Sequence, residues 1–154
     1  MVYAVVRVRG IVNVKPDIKK TLQYLNLTRV NHCVLIEETP SAKGMLQIAK
    51  DYITWGEVSK ESITGLLTKR GKITGDKPLT EDHIKSATSF KDLKSLATAL
   101  ADNKLKIKEI PDMKPVFRLH PPLKGLEGIK RSYVNKGALG YRGENINQLL
   151  EKML

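Results

Sequence analysis

The chain carries three histidines, His32, His83 and His120, and a single cysteine, Cys33. The histidines lie in separate segments, with no companion cysteine or paired acid at the spacing that a zinc or carboxylate-bridged site requires, so no metal is expected. A thiol beside an imidazole can serve as nucleophile and base. His32 and Cys33, however, fall in a run of apolar and β-branched residues, where neighbouring side chains point to opposite faces, and Cys33 is read as a packed thiol. One cysteine also excludes an internal disulfide. Ser59, Ser62, Ser86 and Ser89 stand where helix caps or exposed faces are expected, and none lies in a Gly-x-Ser-x-Gly elbow. The glycines Gly137, Gly140 and Gly143 recur at every third position but lack the Lys-Ser/Thr end of a P-loop and the strand before a dinucleotide turn. No catalytic residue and no cofactor is expected.

What remains is binding chemistry. Lys and Arg number 27 against 16 Asp and Glu, a formal charge of +11, which favours a polyanionic partner. Residues 1–58 hold eight basic and five acidic side chains, residues 59–113 eleven and eight, and residues 114–154 eight and three. The surplus is therefore densest in the last segment, where Arg118, Lys124, Lys130, Arg131, Lys136 and Arg142 alternate with glycines. Glycine lets a backbone approach its partner closely and the cations select an anionic one, so this run is read as an extended nucleic-acid-contacting loop. Tyr133 and Tyr141 within it are candidate platforms for stacked bases. Lys69, Arg70 and Lys72 form a second cluster, where cations also suit the end of a helix. Trp55, in an apolar strand, is assigned to the core.

These side chains need a scaffold. Val2 to Arg9 alternates, with Val2, Ala4, Val6 and Val8 on one side, the period of a half-buried strand. Pro16 and Asp17 open a helix to about Leu25, with Ile18, Leu22 and Leu25 on one face. Asn31 to Glu38 predicts a second strand. Ser41 is the expected cap of a second helix, whose face is Met45, Ile48, Ala49 and Tyr52. Ile53 to Val58, interrupted by Gly56, predicts a third strand. Ser59, Thr80 and Ser89 then open three short helices, the last with capping-box spacing between Ser89 and Asp92. Leu105 to Ile110 reads as a short strand, 111–115 as a linker, Val116 to His120 as another strand, and Ile146, Leu149, Leu150 and Met153 as one face of a final helix. The expected organisation is a βαβαβ core over 1–58, a helical insertion over 59–113, and a basic Gly-rich extension over 114–154 whose helix packs on the core. No run is apolar enough to span a bilayer, and a cytoplasmic location is expected.

The stretch from Thr21 to Val34, a leucine-rich helix end followed by Arg29 and His32 before a strand, resembles the signature of the large-subunit ribosomal protein L-thirty family, whose eukaryotic counterpart is called L-seven. Thr39 to Met45, Ile53 to Gly56, Lys69 to Gly71 and the Gly-rich run are similar to the longer archaeal and eukaryotic forms. The resemblance implies an α+β, ferredoxin-like fold with a three-stranded antiparallel sheet, and a non-enzymatic role in the large (50S) subunit bound to 23S rRNA. Neighbouring large-subunit proteins and 5S rRNA are the further partners it implies, and neither a membrane nor DNA. It adds Arg29 and His32 as RNA-binding candidates, with a loop-tying role as their alternative. The lysine-rich N-terminal extension of the eukaryotic form is missing, which points to an archaeal form. Two rival readings keep the scaffold and change the task. One is an acyl-phosphate hydrolase with Arg7 or Arg29 cradling the phosphate, and the other a basic regulator of duplex DNA.

Overall fold

The computed structural model describes residues 1–88, 90 and 92–154. Strands and helices alternate through the first third: β1 (Val2–Arg7), α1 (Pro16–Tyr24), β2 (His32–Glu37), α2 (Pro40–Ala49) and β3 (Ile53–Glu57). Three helices follow, α3 (Lys60–Arg70), α4 (Glu81–Ala87) and α5 (Leu93–Ala101), then β4 (Val116–Arg118), β5 (Gly140–Tyr141) and α6 (Ile146–Met153). The sheet runs β4-β2-β1-β3-β5. Its antiparallel centre, β2-β1-β3, is the expected ferredoxin-like core, widened by antiparallel β4 beside β2 and by β5, which lies parallel to β3.

The expected half-buried first strand is instead covered on both faces. All six residues of β1 are buried. Ala4 and Val6 join Cys33, Phe117 and the inward faces of α3, α4, α5 and α6 in one core, while Tyr3 and Val5 join Val34, Ile53, Trp55, Leu22, Leu46 and Ala49 in another under α1 and α2. The alternation is as expected, but the second face of β1 meets another helical layer instead of water.

Local corrections have local causes. Thr39, not Ser41, caps α2, its Oγ1 accepting from the Ala42 N–H at 3.1 Å with Pro40 in the first turn. The shift turns Ala42, Leu46 and Ala49 inward and leaves Ile48 51 % exposed. Ser59 and Thr80 cap α3 and α4 as expected. Ser89 lies outside the described residues, and α5 starts from Asp92, whose N–H donates to Ser95 Oγ at 3.3 Å. The strand expected over Leu105 to Ile110 is a 3-10 turn at Ile107–Glu109. Ile107 and Ile110 both enter the first core, and side chains three apart share a side only if the chain turns.

The C-terminal segment docks on β3 through a close backbone approach. A Cβ on Gly56 would stand 1.9 Å from the carbonyl oxygen of Gly143, itself at φ +57. Asn147 then pins the start of α6, accepting from the Ser59 N–H at 2.9 Å and donating to the Glu57 carbonyl at 3.1 Å. At the other end of α6, the N–H groups of His120 and Leu123 donate to the carbonyls of Met153 and Lys152. Arg70, in the last turn of α3, reaches the Leu154 carbonyl at 3.0 Å. Thus α3 and α6 run in the same direction beneath the sheet.

The two glycines Gly56 and Gly44 make opposite demands. Gly56→Ala overpacks a backbone contact and should lower unfolding stability by about 1–3 kcal/mol. Gly44, inside α2 with open space around it, should tolerate Ala with a gain of roughly 0.5–1 kcal/mol, and denaturant titrations of the two variants check both signs.

Candidate nucleic-acid interface

Strand direction sorts charge. The C-terminal end of β1 and the N-terminal ends of β2 and β3 come together, and β4 ends there too, because Arg7 registers with Ile53 and His32 with Arg118. This end of the sheet holds Arg7, Arg9, Arg29, His32, Arg118 and His120. The opposite end holds Glu37, Glu38 and Glu57, since Val2 registers with Glu37 and Tyr3 with Glu57. The acids of that end are engaged locally: Glu37 with Lys106 at 3.3 Å, Glu38 with Lys43 at 2.7 Å, and Glu57 with the Tyr141 hydroxyl at 2.5 Å.

At the basic end the candidates divide into braces and open cations. Arg7 is a brace. It is buried, and its guanidinium donates to the Leu27 carbonyl at 2.6 Å and the Arg9 carbonyl at 2.9 Å, tying β1 to the loop before β2. Burial alone pulls its pKa below the ordinary arginine value. It is therefore not free to cradle the phosphate of an acyl-phosphate substrate. His32, expected as an RNA contact, is only 9 % exposed, and its Nδ1 lies 3.4 Å from Thr28 Oγ1. Burial, then the nearby guanidinium groups of Arg118, Arg29 and Arg7, hold its pKa below 6.5. His32 thus lies within the cationic end as a neutral, largely covered ring.

Arg118 is exposed and shares Asp76 with Lys114, at 3.5 and 2.5 Å respectively. Lys114 first, then Arg118, hold the Asp76 carboxyl below its usual range. Arg29 is exposed. Of the cluster at the end of α3, Lys69 is exposed, Lys72 is half-buried with its carbonyl accepting from the Lys114 N–H, and Arg70 is committed to Leu154.

The Gly-rich run is a compact loop, not the extended one its composition predicts. Gly128 accepts from the N–H groups of Arg131 and Ala138, and the Arg131 carbonyl accepts from Leu139. A Cβ on Gly137 would fall 2.2 Å from that same carbonyl, so the loop closes only with glycine there. Ala138 and Leu139 pack with Val8, fastening the loop over the end of β1. Lys124, Lys130, Arg131 and Lys136 project from it, all exposed. Arg142, expected as a phosphate contact, is a strut instead. Its Nε donates to Thr54 Oγ1 at 2.8 Å, its Nη2 to the Ala138 carbonyl at 2.8 Å, and its guanidinium lies 4.8 Å over the Tyr133 ring. Tyr133 thereby has one face covered. Tyr141 stays half exposed, tilted against Trp55 and bonded to Glu57, which with burial pushes its hydroxyl pKa up to about 12. That bond carries it toward the acidic end.

Two cations that sequence reasoning missed stand beside Lys130. Arg9 and Lys15 line, with Asn13, Asp51, Tyr52 and Lys130, a hollow of about 360 Å³ between the β1–α1 loop and the C-terminal loop. Arg9 also lies 4.9 Å from the Tyr52 ring centre. The missed signal was Gly10 to Lys15, a loop bracketed by cations. Among the described residues, Arg29, Lys15, Lys124, Lys130, Arg131 and Lys136 make no ion pair.

The depressed His32 pKa sets a pH dependence. Above pH 6.5 the ring is neutral folded or unfolded, and its stabilising neutral state is fully retained. Below that value the unfolded chain takes up the proton first, so stability falls until the folded midpoint is reached. Chemical denaturation at a series of pH values should show this acid slope, and His32→Gln should flatten it.

Comparisons with known proteins place the chain in a family. Residues 3–53 match the family model described as ribosomal protein L30p/L7e. Over 151 residues, 98 % of this chain and 99 % of the relative, the chain is 50 % identical to the large ribosomal subunit protein uL30 of Methanocorpusculum labreanum. It is 49 % identical to that of Methanosphaera stadtmanae, covering 99 % of each chain, and 48 % identical to that of Archaeoglobus fulgidus, covering 98 % of this chain and 99 % of the relative. With matches of this identity along nearly its whole length, the chain belongs to the ribosomal protein L30p/L7e family.

Proposed function

We propose that this protein is a structural constituent of the large ribosomal subunit in the cytoplasm, and that it holds folded 23S rRNA through phosphate contacts at the basic end of its sheet. The observation that carries the contact assignment is the gathering of open cations there. Arg29, Lys124, Lys130, Arg131 and Lys136, with Arg9 and Lys15 alongside, stand exposed or half-buried at one end, while the acids of the opposite end are engaged with partners of their own. Cations spread over a rigid surface recognise the spacing of phosphates and so the shape of a folded RNA, with no need to read base edges. Lys69, Lys72 and Arg118 extend this surface along the β4 side. Arg70, Arg142, Tyr133 and His32 hold the surface in place. Residues 1–58 supply the scaffold, 59–113 cover one face of it, and 114–154 carry the densest contacts. Neighbouring large-subunit proteins and 5S rRNA complete the set of partners in this reading.

The reading predicts binding to a 23S rRNA fragment that weakens steeply with salt, with a log-log slope of roughly −0.7 to −0.9 per phosphate neutralised. Replacing Lys124, Lys130, Arg131 and Lys136 together with Ala should flatten that slope by about three units. Replacing Lys43, Lys60, Lys85 and Lys94, which removes the same charge elsewhere, should change it little. Equal losses from the two sets would reduce the interaction to net charge and overturn the assignment. Co-sedimentation with large subunits through moderate salt tests the ribosomal role separately.

A further inference from the structure

The hollow beside Lys130 is shaped by the way β1 ends. The N–H groups of Val8 and Arg9 both donate to the Tyr52 carbonyl, at 2.9 and 3.1 Å, so two residues of one strand stand against one of its neighbour, as in a β-bulge. The extra residue carries the Arg9 side chain across the start of β3. Its Nη1 donates to the Asp51 carbonyl at 3.1 Å, and its guanidinium lies 4.9 Å from the Tyr52 ring centre. A planar cation is thus held in the wall of a hollow of about 360 Å³, a volume within the range of small-ligand sites.

The charges around that plane do not suit a bare phosphate. Lys15 and Lys130 line the hollow from separate loops, exposed and without an ion pair among the described residues. Asp51 lines it too, and among the described residues its carboxylate has neither an ion pair nor a hydrogen bond, although Arg9, Lys15 and Lys130 share the hollow with it. That carboxylate would repel an inorganic anion. A ligand that satisfies the whole set carries negative charge at one point, a flat face at another and N–H donors at a third, since an ionised carboxylate only accepts. Among the RNA bases only guanine sets two N–H donors side by side on its pairing edge, N1–H and the N2 amine. Only an unstacked base offers its face to a guanidinium plane.

We propose that the hollow takes one unstacked guanine nucleotide of an RNA strand, its phosphate between Lys15 and Lys130, its ring on the Arg9 guanidinium and its pairing edge on the Asp51 carboxylate. A strand is favoured over a free nucleotide because Arg131 and Lys136, open cations of the same loop as Lys130, continue the surface beyond a single phosphate. The proposal rests on the reading of the basic end as an RNA-binding surface. It adds one point of base recognition to a surface that otherwise holds RNA by shape.

The test measures binding of the full-length chain, at fixed salt, to oligouridine strands of about seven nucleotides in which only the central base is varied. A central guanosine should bind about tenfold or more tighter than adenosine, cytidine or uridine. Inosine, which lacks only the N2 amine, should lose most of that preference. Asp51→Asn, an exposed change that keeps the side chain's shape, should bring guanosine to the level of adenosine. Free guanosine monophosphate should bind far more weakly than the oligomer. Equal binding of all the bases, or a preference kept in full by inosine or by Asp51→Asn, overturns guanine recognition, and monophosphate binding as tight as the oligomer's overturns the RNA strand as ligand. A steep salt slope on the 23S rRNA fragment with no base preference overturns the hollow and leaves the phosphate reading standing, whereas no binding to either RNA overturns that reading itself.

Discussion

A strand covered on both faces can offer solvent only its ends. β1 is such a strand, and much of the molecule's organisation depends on that confinement. Its alternating side chains serve two cores at once, so the single charged residue within it, Arg7, is drawn inside and stabilised by carbonyl oxygens of Leu27 and Arg9. Polar chemistry is displaced to the strand termini. Antiparallel pairing then decides which termini meet, and so places arginines at one end of the sheet and glutamates at the other.

The C-terminal segment gains its position from the same frame. It reaches the sheet as a two-residue parallel strand, too short to hold by its ladder alone. Thr54 supplies what is missing, donating from Oγ1 to the Gly140 carbonyl at 2.9 Å while accepting from Arg142. One threonine therefore links strand, loop and strut, and the open lysines of the loop are presented from a fixed base. An arginine used in this way stabilises the arrangement of its neighbours.

Much of the scaffold was legible in the residues. The strand and helix order through Val58 follows from period, and the four inward residues of α6 were named by spacing alone. What could not be read were choices that depend on distant partners. Nothing local distinguishes Thr39 from Ser41 as a cap, nor shows that Ile107 and Ile110 must enter the same core. At the candidate interface, composition marks a basic segment but does not show which of its cations the fold engages. Lys136 and Arg142 look alike as a basic pair among glycines. Only folding shows that one stands in solvent and the other beside Thr54. Arg9 and Lys15 are not legible as part of this cluster in the sequence, because Lys130, which lines the same hollow, lies more than a hundred residues away.

The shared direction of α3 and α6 has an electrostatic consequence. Both helices begin at the acidic end and finish near the cations, as the joining of Arg70 to Leu154 and of His120 to Met153 requires. Their peptide dipoles therefore place partial negative charge among the crowded guanidinium and ammonium groups, each helix end easing their mutual repulsion by about 0.3–1 kcal/mol. Carboxylates could give the same relief, but as full charges on mobile side chains they would repel an incoming phosphate. The main-chain oxygens at the end of α6 are held by Arg70 and by the N–H groups of His120 and Leu123, so this relief comes from within the fold.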